Sequence, residues 1–292
     1  ATINPEATLI VENNGNTSVS FAQAVSFDAL QIKNGTVTNS VNIAVNSFTQ
    51  SNGIVSGSAN LTVAEMATLS GGTQTGAGTM IFDTGATVNH TGLIYLESGR
   101  KVENRGTYQL SGNGYYSARG GLGASTVTNG SGATWTITAT RLVNNDSSSS
   151  IVFVNDGTLT KSSANNTAFG TSSGLSTFTN NGTFEVQAGS FQLGAASTAN
   201  FVGGSTARLT TAGGTTKVID GTGTINFGGT LEVLLSVGFI PSNGQTIPLL
   251  DFGRDKGTGT FATHTPPAGY SSISPTYNYS ANPGNLEITF NQ

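Results

Sequence analysis

A short phrase recurs through the middle of the chain and constrains its fold more than any other feature. An apolar residue and a spacer precede an Asn, a turn ending in Gly follows, and apolar and polar residues then alternate. The copies are 178–186 (FTNNGTFEV), 153–159 (FVNDGTL), 102–110 (VENRGTYQL) and, more loosely, 127–132 (VTNGSG). Their Asn residues follow one another at intervals of 25, 26 and 25 residues: Asn104, Asn129, Asn155 and Asn180. Such a period is typical of a repeat architecture.

The repeat unit reads as strand, turn, strand. Each copy joins an Asn-Gly, Asp-Gly or Asn-Arg-Gly turn signal to a period-two segment rich in β-forming residues. One unit cannot bury its apolar side alone, whereas stacked units can. We therefore predict an all-β solenoid, a parallel β-helix in which strands of successive turns pair at about 4.8 Å.

The register of the repeats predicts two columns of stacked side chains. Tyr108, Leu159 and Phe184 form an inward column, which Trp135 joins if the insertion at 130–133 is absorbed in the turn. For Trp135 this core position is favoured over a sugar-stacking platform. The four repeat Asn residues form a ladder at the corner, because each amide can bond the next one and the turn backbone. Tolerance of left-handed φ also favours Asn there.

The composition of the chain changes near residue 229. Six of the seven Pro residues lie from Pro241 onwards, and Pro cannot donate to a strand ladder. We predict that residues 1–228 form the parallel β-helix, of about ten turns. Residues 229–292 are predicted to form a C-terminal β cap or small sandwich.

Charge and composition restrict the function. Only 9% of the residues are charged, the net charge is −4, and there is no Cys. Lys and Arg are scattered, so we expect no nucleic-acid partner. No apolar run is long enough for a membrane span. Richness in Ser, Thr, Asn and Gly with low charge favours an extracellular, secreted location at the cell surface.

Two features of the sequence carry a resemblance to known proteins. They are the Asn-x-Gly-Thr-apolar repeats and a tail phrase that runs from 229–233 (GTLEV) through 241–245 (PSNGQ) to 259–261 (GTF). On these features the chain resembles the β-helical passenger regions of bacterial autotransporters and filamentous-haemagglutinin-like surface proteins. The resemblance implies a right-handed helix and a secreted, surface-associated solenoid, frequently adhesive or structural.

The two ends of the sequence lead to two expectations. The start at Ala1 reads as a mature end left by removal of a secretion signal, or as the edge of an excised segment. We expect that an outer-membrane barrel beyond Gln292 has been cut away, or that the protein reaches the surface by another route.

Residues for metal or nucleophilic chemistry are scarce. His90 and His264 are 174 positions apart, which argues against structural zinc, and a Cys nucleophile is impossible. We predict that His90 is an exposed turn residue and His264 a loop residue. The carboxylates are mostly isolated, and the outward column around Glu185 contains one acid. We therefore predict no catalytic residues, no metal and no cofactor.

Two segments are candidate contact sites. Tyr115 and Tyr116 lie in a Gly-rich stretch, 112–123, read as an extended loop that contacts glycan or protein, or that covers a gap in the solenoid wall. Leu9, Ile10 and Val11 form an apolar N-terminal strand without an obvious cap. An uncapped solenoid end exposes a strand edge, so we predict head-to-tail self-association there.

These patterns favour a non-enzymatic structural or adhesive module, in one version a self-assembling fibre subunit and in another the stalk of a longer adhesin. The competing hypothesis is a polysaccharide-binding or polysaccharide-degrading β-helix, which predicts a groove lined by acids and aromatic residues. An ice-binding surface is disfavoured, because the sequence shows no strict Thr-x-Thr array at the repeat spacing.

Overall fold

The computed structural model describes residues 6–12, 17–120, 123–146, 148–171, 174–214 and 217–292. Within these ranges the chain forms 33 strands and no helix. The strands stack in parallel as a β-solenoid of about nine turns, which confirms the all-β, parallel β-helical class predicted from the repeats. The handedness stays a prediction.

Each complete turn contributes strands to three walls. The first and second walls belong to one continuous sheet, in which three long strands pass from the first wall to the second: β3 (Val25–Ile32), β5 (Ile43–Gln50) and β7 (Leu61–Leu69). The other strands of the first wall are β9 (Thr79–Phe82), β12 (Lys101–Asn104), β15 (Ser125–Asn129), β18 (Ser150–Asn155), β21 (Leu175–Asn180), β24 (Ser197–Phe201), β27 (Thr224–Phe227) and β30 (Gly257–Gly259).

The second wall begins at the N-terminal end of the solenoid. Its strands, apart from the three long ones, are β1 (Thr8–Val11), β10 (Thr87–His90), β13 (Thr107–Leu110), β16 (Thr134–Ile137), β19 (Thr158–Lys161), β22 (Thr183–Val186), β25 (Thr206–Thr211), β28 (Thr230–Leu235) and β31 (Thr263–Thr265).

The third wall is a separate sheet. Its parallel strands are β2 (Ser18–Ser20), β4 (Thr36–Thr38), β6 (Ile54–Ser56), β8 (Gly72–Thr75), β11 (Leu93–Glu97), β14 (Tyr115–Ala118), β17 (Arg141–Asn145), β20 (Thr167–Phe169), β23 (Phe191–Leu193), β26 (Ile219–Gly221) and β29 (Thr246–Phe252). Two antiparallel strands extend this sheet beyond β29: β33 (Gly284–Asn291) and then β32 (Ser272–Asn278).

One column of inward side chains on the second wall runs through the whole stack. In pairing order it contains Leu9, Leu30, Phe48, Ala67, Val88, Tyr108, Trp135, Leu159, Phe184, Ala207, Leu231 and His264. The predicted core residues Tyr108, Trp135, Leu159 and Phe184 occupy successive positions, and each is 0% exposed. Full burial of such a side chain contributes about 1.5–3 kcal/mol, so this column is a principal source of stability.

The repeat glycines allow successive turns to approach closely. A Cβ atom at Gly182 would lie 2.1 Å from the carbonyl oxygen of Gly157, and one at Gly157 would lie 2.3 Å from that of Ala133. Any side chain at these positions would collide with backbone of the turn before it. The Gly of the repeat phrase is therefore required by stacking of the corners.

The change to antiparallel pairing comes later than residue 229. β28 pairs in parallel with β25 and β31, and β27 pairs in parallel with β30. Among the described residues, antiparallel pairs involve only β29, β32 and β33. Tyr277 Oη accepts a hydrogen bond from the backbone N–H of Phe261 at 3.0 Å, and the Tyr279 hydroxyl donates to the Gly259 carbonyl. The C-terminal hairpin therefore packs over the last turn.

The N-terminal strand β1 pairs with β3 along one edge. No strand pairs with its other edge among the residues the structure describes. Val11 is 1% exposed and Leu9 is half-buried, whereas Ile10 points outward and is 49% exposed. The predicted assembly strand is thus the first strand of the described stack.

Candidate functional site

The four repeat Asn residues stand one above another at the ends of their first-wall strands, and each is 0% exposed. Their side-chain amides form a chain of hydrogen bonds: Asn104 donates to Asn129 at 2.9 Å, Asn129 to Asn155 at 2.8 Å, and Asn155 to Asn180 at 2.7 Å. Left-handed φ plays no part, because the described non-Gly residues with positive φ are Ser98 and Asp255. The ladder is therefore explained by the need of buried amide groups to form hydrogen bonds, which each Asn meets through the next.

Two aromatic residues bound this ladder. Phe82 pairs with Asn104 one turn before it, and Phe201 pairs with Asn180 one turn after it. At the last rung Asn180 donates to the carbonyls of Gly182 at 3.1 Å and Thr206 at 3.2 Å. Apolar side chains thus lie at both ends of the Asn ladder. The last amide, that of Asn180, is nevertheless fully hydrogen-bonded.

The second wall presents an outward column of eight Thr residues. They occupy equivalent positions in successive turns: Thr87, Thr107, Thr134, Thr158, Thr183, Thr206, Thr230 and Thr263. The column two residues further along contains Thr only in part, with Gln109, Glu185 and Arg208 among its members. In the part of the chain that the structure describes, the second wall therefore has one regular Thr column rather than two adjacent ones.

His90 is buried, which corrects its prediction as an exposed turn residue. It is 0% exposed and contacts Tyr108 and Tyr116. Its Nε2 lies 2.6 Å from the Gly92 carbonyl and its Nδ1 lies 2.7 Å from the Tyr108 hydroxyl. Burial lowers the pKa of His90 to about 3. The alternation of Val88 and His90 along β10 was the sequence signal for an inward side chain.

The hydrogen bonds of this cluster have one consistent direction. A carbonyl only accepts, so His90 Nε2 carries the proton and Nδ1 accepts from the Tyr108 hydroxyl. Tyr108 and Tyr116 hydroxyls lie 2.6 Å apart, so Tyr116 donates to Tyr108. Burial raises the pKa of Tyr116 well above its usual value. The cluster is a neutral polar network inside the core.

The predicted contact loop is corrected in two ways. Residues 115–118 form strand β14 of the third wall, and Tyr116 points inward with 0% exposure. Tyr116 is therefore a core residue, not an exposed contact. Tyr115 points outward and is half-buried. The period-two alternation of a strand separates the two neighbours onto opposite sides of the wall.

Outward residues of the third wall form an aromatic and arginine patch, which we define as Tyr95, Tyr115, Arg119 and Arg141. The guanidinium carbon of Arg119 lies 3.6 Å from the centre of the Tyr95 ring, and that of Arg141 lies 5.4 Å from the centre of the Tyr115 ring. These distances are within the range of cation–π contacts. The pairs lie on adjoining turns, since β11 pairs with β14 and β14 with β17.

The two arginines differ in their ion pairing. Arg119 Nε donates to Glu97 Oε1 at 2.6 Å and its Nη2 donates to Thr73 Oγ1 at 3.2 Å. Arg141 is exposed and forms no ion pair with any residue that the structure describes. A cleft with a volume of about 290 Å³ lies beside it, lined by Asn113, Gly114, Tyr115, Thr140 and Arg141.

A local irregularity in β17 sets the direction of Arg141. The pairing of β17 with β20 shifts register between Arg141 and Val143. Leu142 and Val143 are both 0% exposed, so two successive side chains face the core. Such bulges redirect neighbouring side chains, and here Arg141 extends over Tyr115. The sequence carries no clear signal for this bulge.

Two cations lie inside the solenoid. Lys161 occupies an inward column between Ile137 and Val186, and its ammonium group donates to the carbonyls of Ser163 and Ala188. Burial lowers the pKa of Lys161 to about 8. Arg100 is 0% exposed, and its guanidinium nitrogens have no hydrogen-bond partner in the described part of the chain. Burial lowers its pKa to about 10.

Acidic residues are dispersed. No group of three or more His, Asp or Glu residues able to hold a metal ion occurs in the described ranges. On the second wall Glu185, Arg208 and Glu232 occupy equivalent positions in three successive turns, with Arg208 bonded to Glu232 at 2.8 Å.

His264, predicted as a loop residue, lies in β31 and ends the inward column of the second wall.

No protein-family model matches this chain, and no curated protein matches its sequence. The described residues include no helix long and apolar enough to cross a membrane.

Proposed function

We propose that this chain is a non-enzymatic extracellular β-solenoid with a structural or adhesive role at the cell surface. The observation that carries the proposal is the aromatic and arginine patch on the third wall, with its cleft at Tyr115 and Arg141. The low charge content and the abundance of Ser, Thr, Asn and Gly support an extracellular setting.

The proposed role follows from the way the solenoid holds the patch. Tyr and Arg are enriched in contact surfaces, because they combine apolar area with directional hydrogen bonding. Here Tyr95, Tyr115 and Arg141 project from strands that pair on both edges. A partner would therefore meet a backbone that is already ordered, which lowers the entropic cost of binding. A surface glycan or a surface protein fits this role.

Binding of the purified protein to immobilised glycans and to whole bacterial and host cells tests the adhesive role. The double variant Tyr95→Ala, Tyr115→Ala removes both aromatic rings of the patch, and Arg254→Gln provides a control at an exposed site. We expect the double variant to lose at least about tenfold in affinity, as for truncation of contact residues. Absence of binding by the unaltered protein to every surface would contradict the adhesive role.

Self-association through the N-terminal end is a second proposal, favoured by the edge of β1 and its exposed Ile10. A head-to-tail contact between β1 and the C-terminal region of the next copy would repeat without closing and so form a filament. Negative-stain electron microscopy at micromolar concentration distinguishes filaments from single rods. Ile10→Lys should shorten or abolish filaments because it places a charge on the edge strand, whereas uniform rods from the unaltered protein would reject the proposal.

The competing proposal is polysaccharide degradation, and the arrangement of Glu185 and Glu232 is its best support. Two turns separate their backbones by about 10 Å, near the upper limit of carboxylate spacing in inverting glycosidases. Release of reducing ends from a polysaccharide panel, lost on Glu185→Gln and on Glu232→Gln, would favour this enzyme. Release that persists in both variants would exclude these residues as its acid and base.

A further inference from the structure

We propose that the cleft between Tyr115 and Arg141 binds a sugar residue that carries a carboxylate, as a uronic acid does within an acidic polysaccharide. This inference rests on the proposed adhesive role and assigns to it a ligand class and a site. Its support comes from the size of the cleft, the charge of Arg141 that has no ion-pair partner at its edge, and the fixed backbone around it.

The size of the cleft suits one sugar unit. Its volume of about 290 Å³ lies at the lower limit of small-molecule sites, which begin at about 300 Å³. It opens on the outer surface of the third wall, where Tyr115 and Arg141 are both accessible. A polymer can therefore place one residue in the cleft while the rest of its chain stays in solvent.

The charge at the cleft favours an anion over a neutral sugar. Arg141 has no carboxylate partner among the described residues, whereas Arg119 on the previous turn already bonds Glu97. An arginine guanidinium matches a carboxylate with two parallel N–H···O hydrogen bonds. A uronic acid supplies that carboxylate, so binding would complete the pairing that the protein leaves open.

The remaining lining residues suit the rest of a sugar. The Tyr115 ring offers an apolar surface for the C–H groups of a pyranose, as aromatic side chains do at contact surfaces. The exposed side chains of Asn113 and Thr140 provide an amide and a hydroxyl for sugar hydroxyl groups. Recognition of an acidic sugar thus needs no residue beyond those already at the cleft.

The backbone around the cleft is fixed before any ligand binds. The backbone N–H of Gly114 donates to the Ser111 carbonyl at 2.9 Å. This bond holds the backbone at the cleft, and it leaves the Gly114 N–H unavailable to a sugar. The bulge in β17 buries Leu142 and Val143 and so anchors Arg141 at its base. Ligand binding therefore orders mainly the guanidinium group, and little affinity is lost to reorganisation.

Isothermal titration with oligogalacturonate, oligoglucuronate and a neutral galactose oligomer of equal length tests the inference. We expect at least one acidic oligomer to bind about tenfold or more tightly than the neutral one, a difference of about 1.4 kcal/mol. Arg141→Gln should remove this preference. Arg141→Lys should keep only part of it, because lysine retains the positive charge but lacks the two parallel N–H donors of the guanidinium group. Tyr115→Ala should weaken all binding, while Tyr115→Phe should not.

Controls separate the failure of this inference from failure of the adhesive role. Arg254→Gln removes an exposed charge elsewhere and should leave every affinity unchanged, and the variants should match the unaltered protein in thermal unfolding. Equal affinity for acidic and neutral oligomers, or an acidic preference that survives Arg141→Gln, would overturn the inference but leave the adhesive role intact. Failure to bind any oligomer, glycan or cell would overturn both.

Discussion

The side-chain amide of Asn129 donates to the backbone carbonyl of Thr158 in the next turn, at 3.1 Å, while it also donates to Asn155. Asn104 and Asn155 repeat this arrangement with Thr134 and Thr183. One buried ladder thus fixes both the corner and the first strand residue after it. Because those residues belong to the outward Thr column, the ladder determines the alignment of an exposed surface.

Asn129→Ala should destabilise the solenoid. The substitution removes the donor of the bonds to Asn155 and Thr158, whereas Asn104 keeps its bonds to the Gly106 and Thr134 carbonyls. Each buried polar group left unpaired costs about 1–3 kcal/mol, so we expect a loss of about 2 kcal/mol or more in the free energy of unfolding, measured by urea denaturation.

Asn181→Ala is the matched control for that prediction. Asn181 is exposed, and its amide bonds Asp156 at the surface, so its loss should cost less than about 0.5 kcal/mol. Equal destabilisation by Asn129→Ala and Asn181→Ala would show that the buried ladder contributes no more than an exposed bond.

Gly182→Ala tests whether the repeat glycine serves close stacking. The new Cβ would lie 2.1 Å from the Gly157 carbonyl oxygen, and such overpacking costs about 1–3 kcal/mol. At Gly203 a Cβ would meet no atom within 4 Å, so Gly203→Ala should leave the melting temperature nearly unchanged. The prediction is wrong if the two variants melt at the same temperature.

Stability should fall as the pH is lowered, because His90 is buried in its neutral form. Its pKa is lowered from 6.5 to about 3 on folding, so between these values the unfolded chain binds a proton that the folded chain does not. The free energy of unfolding should therefore decrease by up to about 1.4 kcal/mol per pH unit from pH 6.5 towards pH 3.

His90→Gln isolates the contribution of this residue to the pH dependence. The variant should be less stable at pH 7, because it disturbs the bonds to Tyr108 and Gly92. Its stability should nevertheless change less steeply between pH 6 and pH 4, as followed by urea denaturation at each pH. An unchanged slope would assign the acid sensitivity to the carboxylates.

Trp135 should report the integrity of the stacked core. It is the single Trp of the chain, is 0% exposed, and stacks on Tyr108 with ring centres 3.6 Å apart. We expect blue-shifted fluorescence that acrylamide quenches weakly until the protein unfolds in urea. Quenching as strong as in the unfolded chain would place Trp135 at the surface and contradict its position in the column.

Much of the fold follows from local pattern, whereas the site depends on details that the pattern does not contain. The spacing of the Asn residues and the alternation around Tyr108 predict the columns because stacked strands repeat their side-chain directions. The same rule, applied to 115–118, would have separated Tyr115 from Tyr116. The mistaken loop came from the flanking glycines at 112, 114, 120, 121 and 123, which indicate turns at both ends of a short strand.

The sequence by itself determined the repeat unit, the parallel stacking of its strands and the inward column of Tyr108, Trp135, Leu159 and Phe184, because each depends on periods of two and about 25 residues. Only the tertiary structure decided that Arg141 reaches Tyr115 and that His90 lies between two tyrosines. Those contacts join residues on different turns, and their geometry depends on a bulge and on core packing that no local pattern encodes.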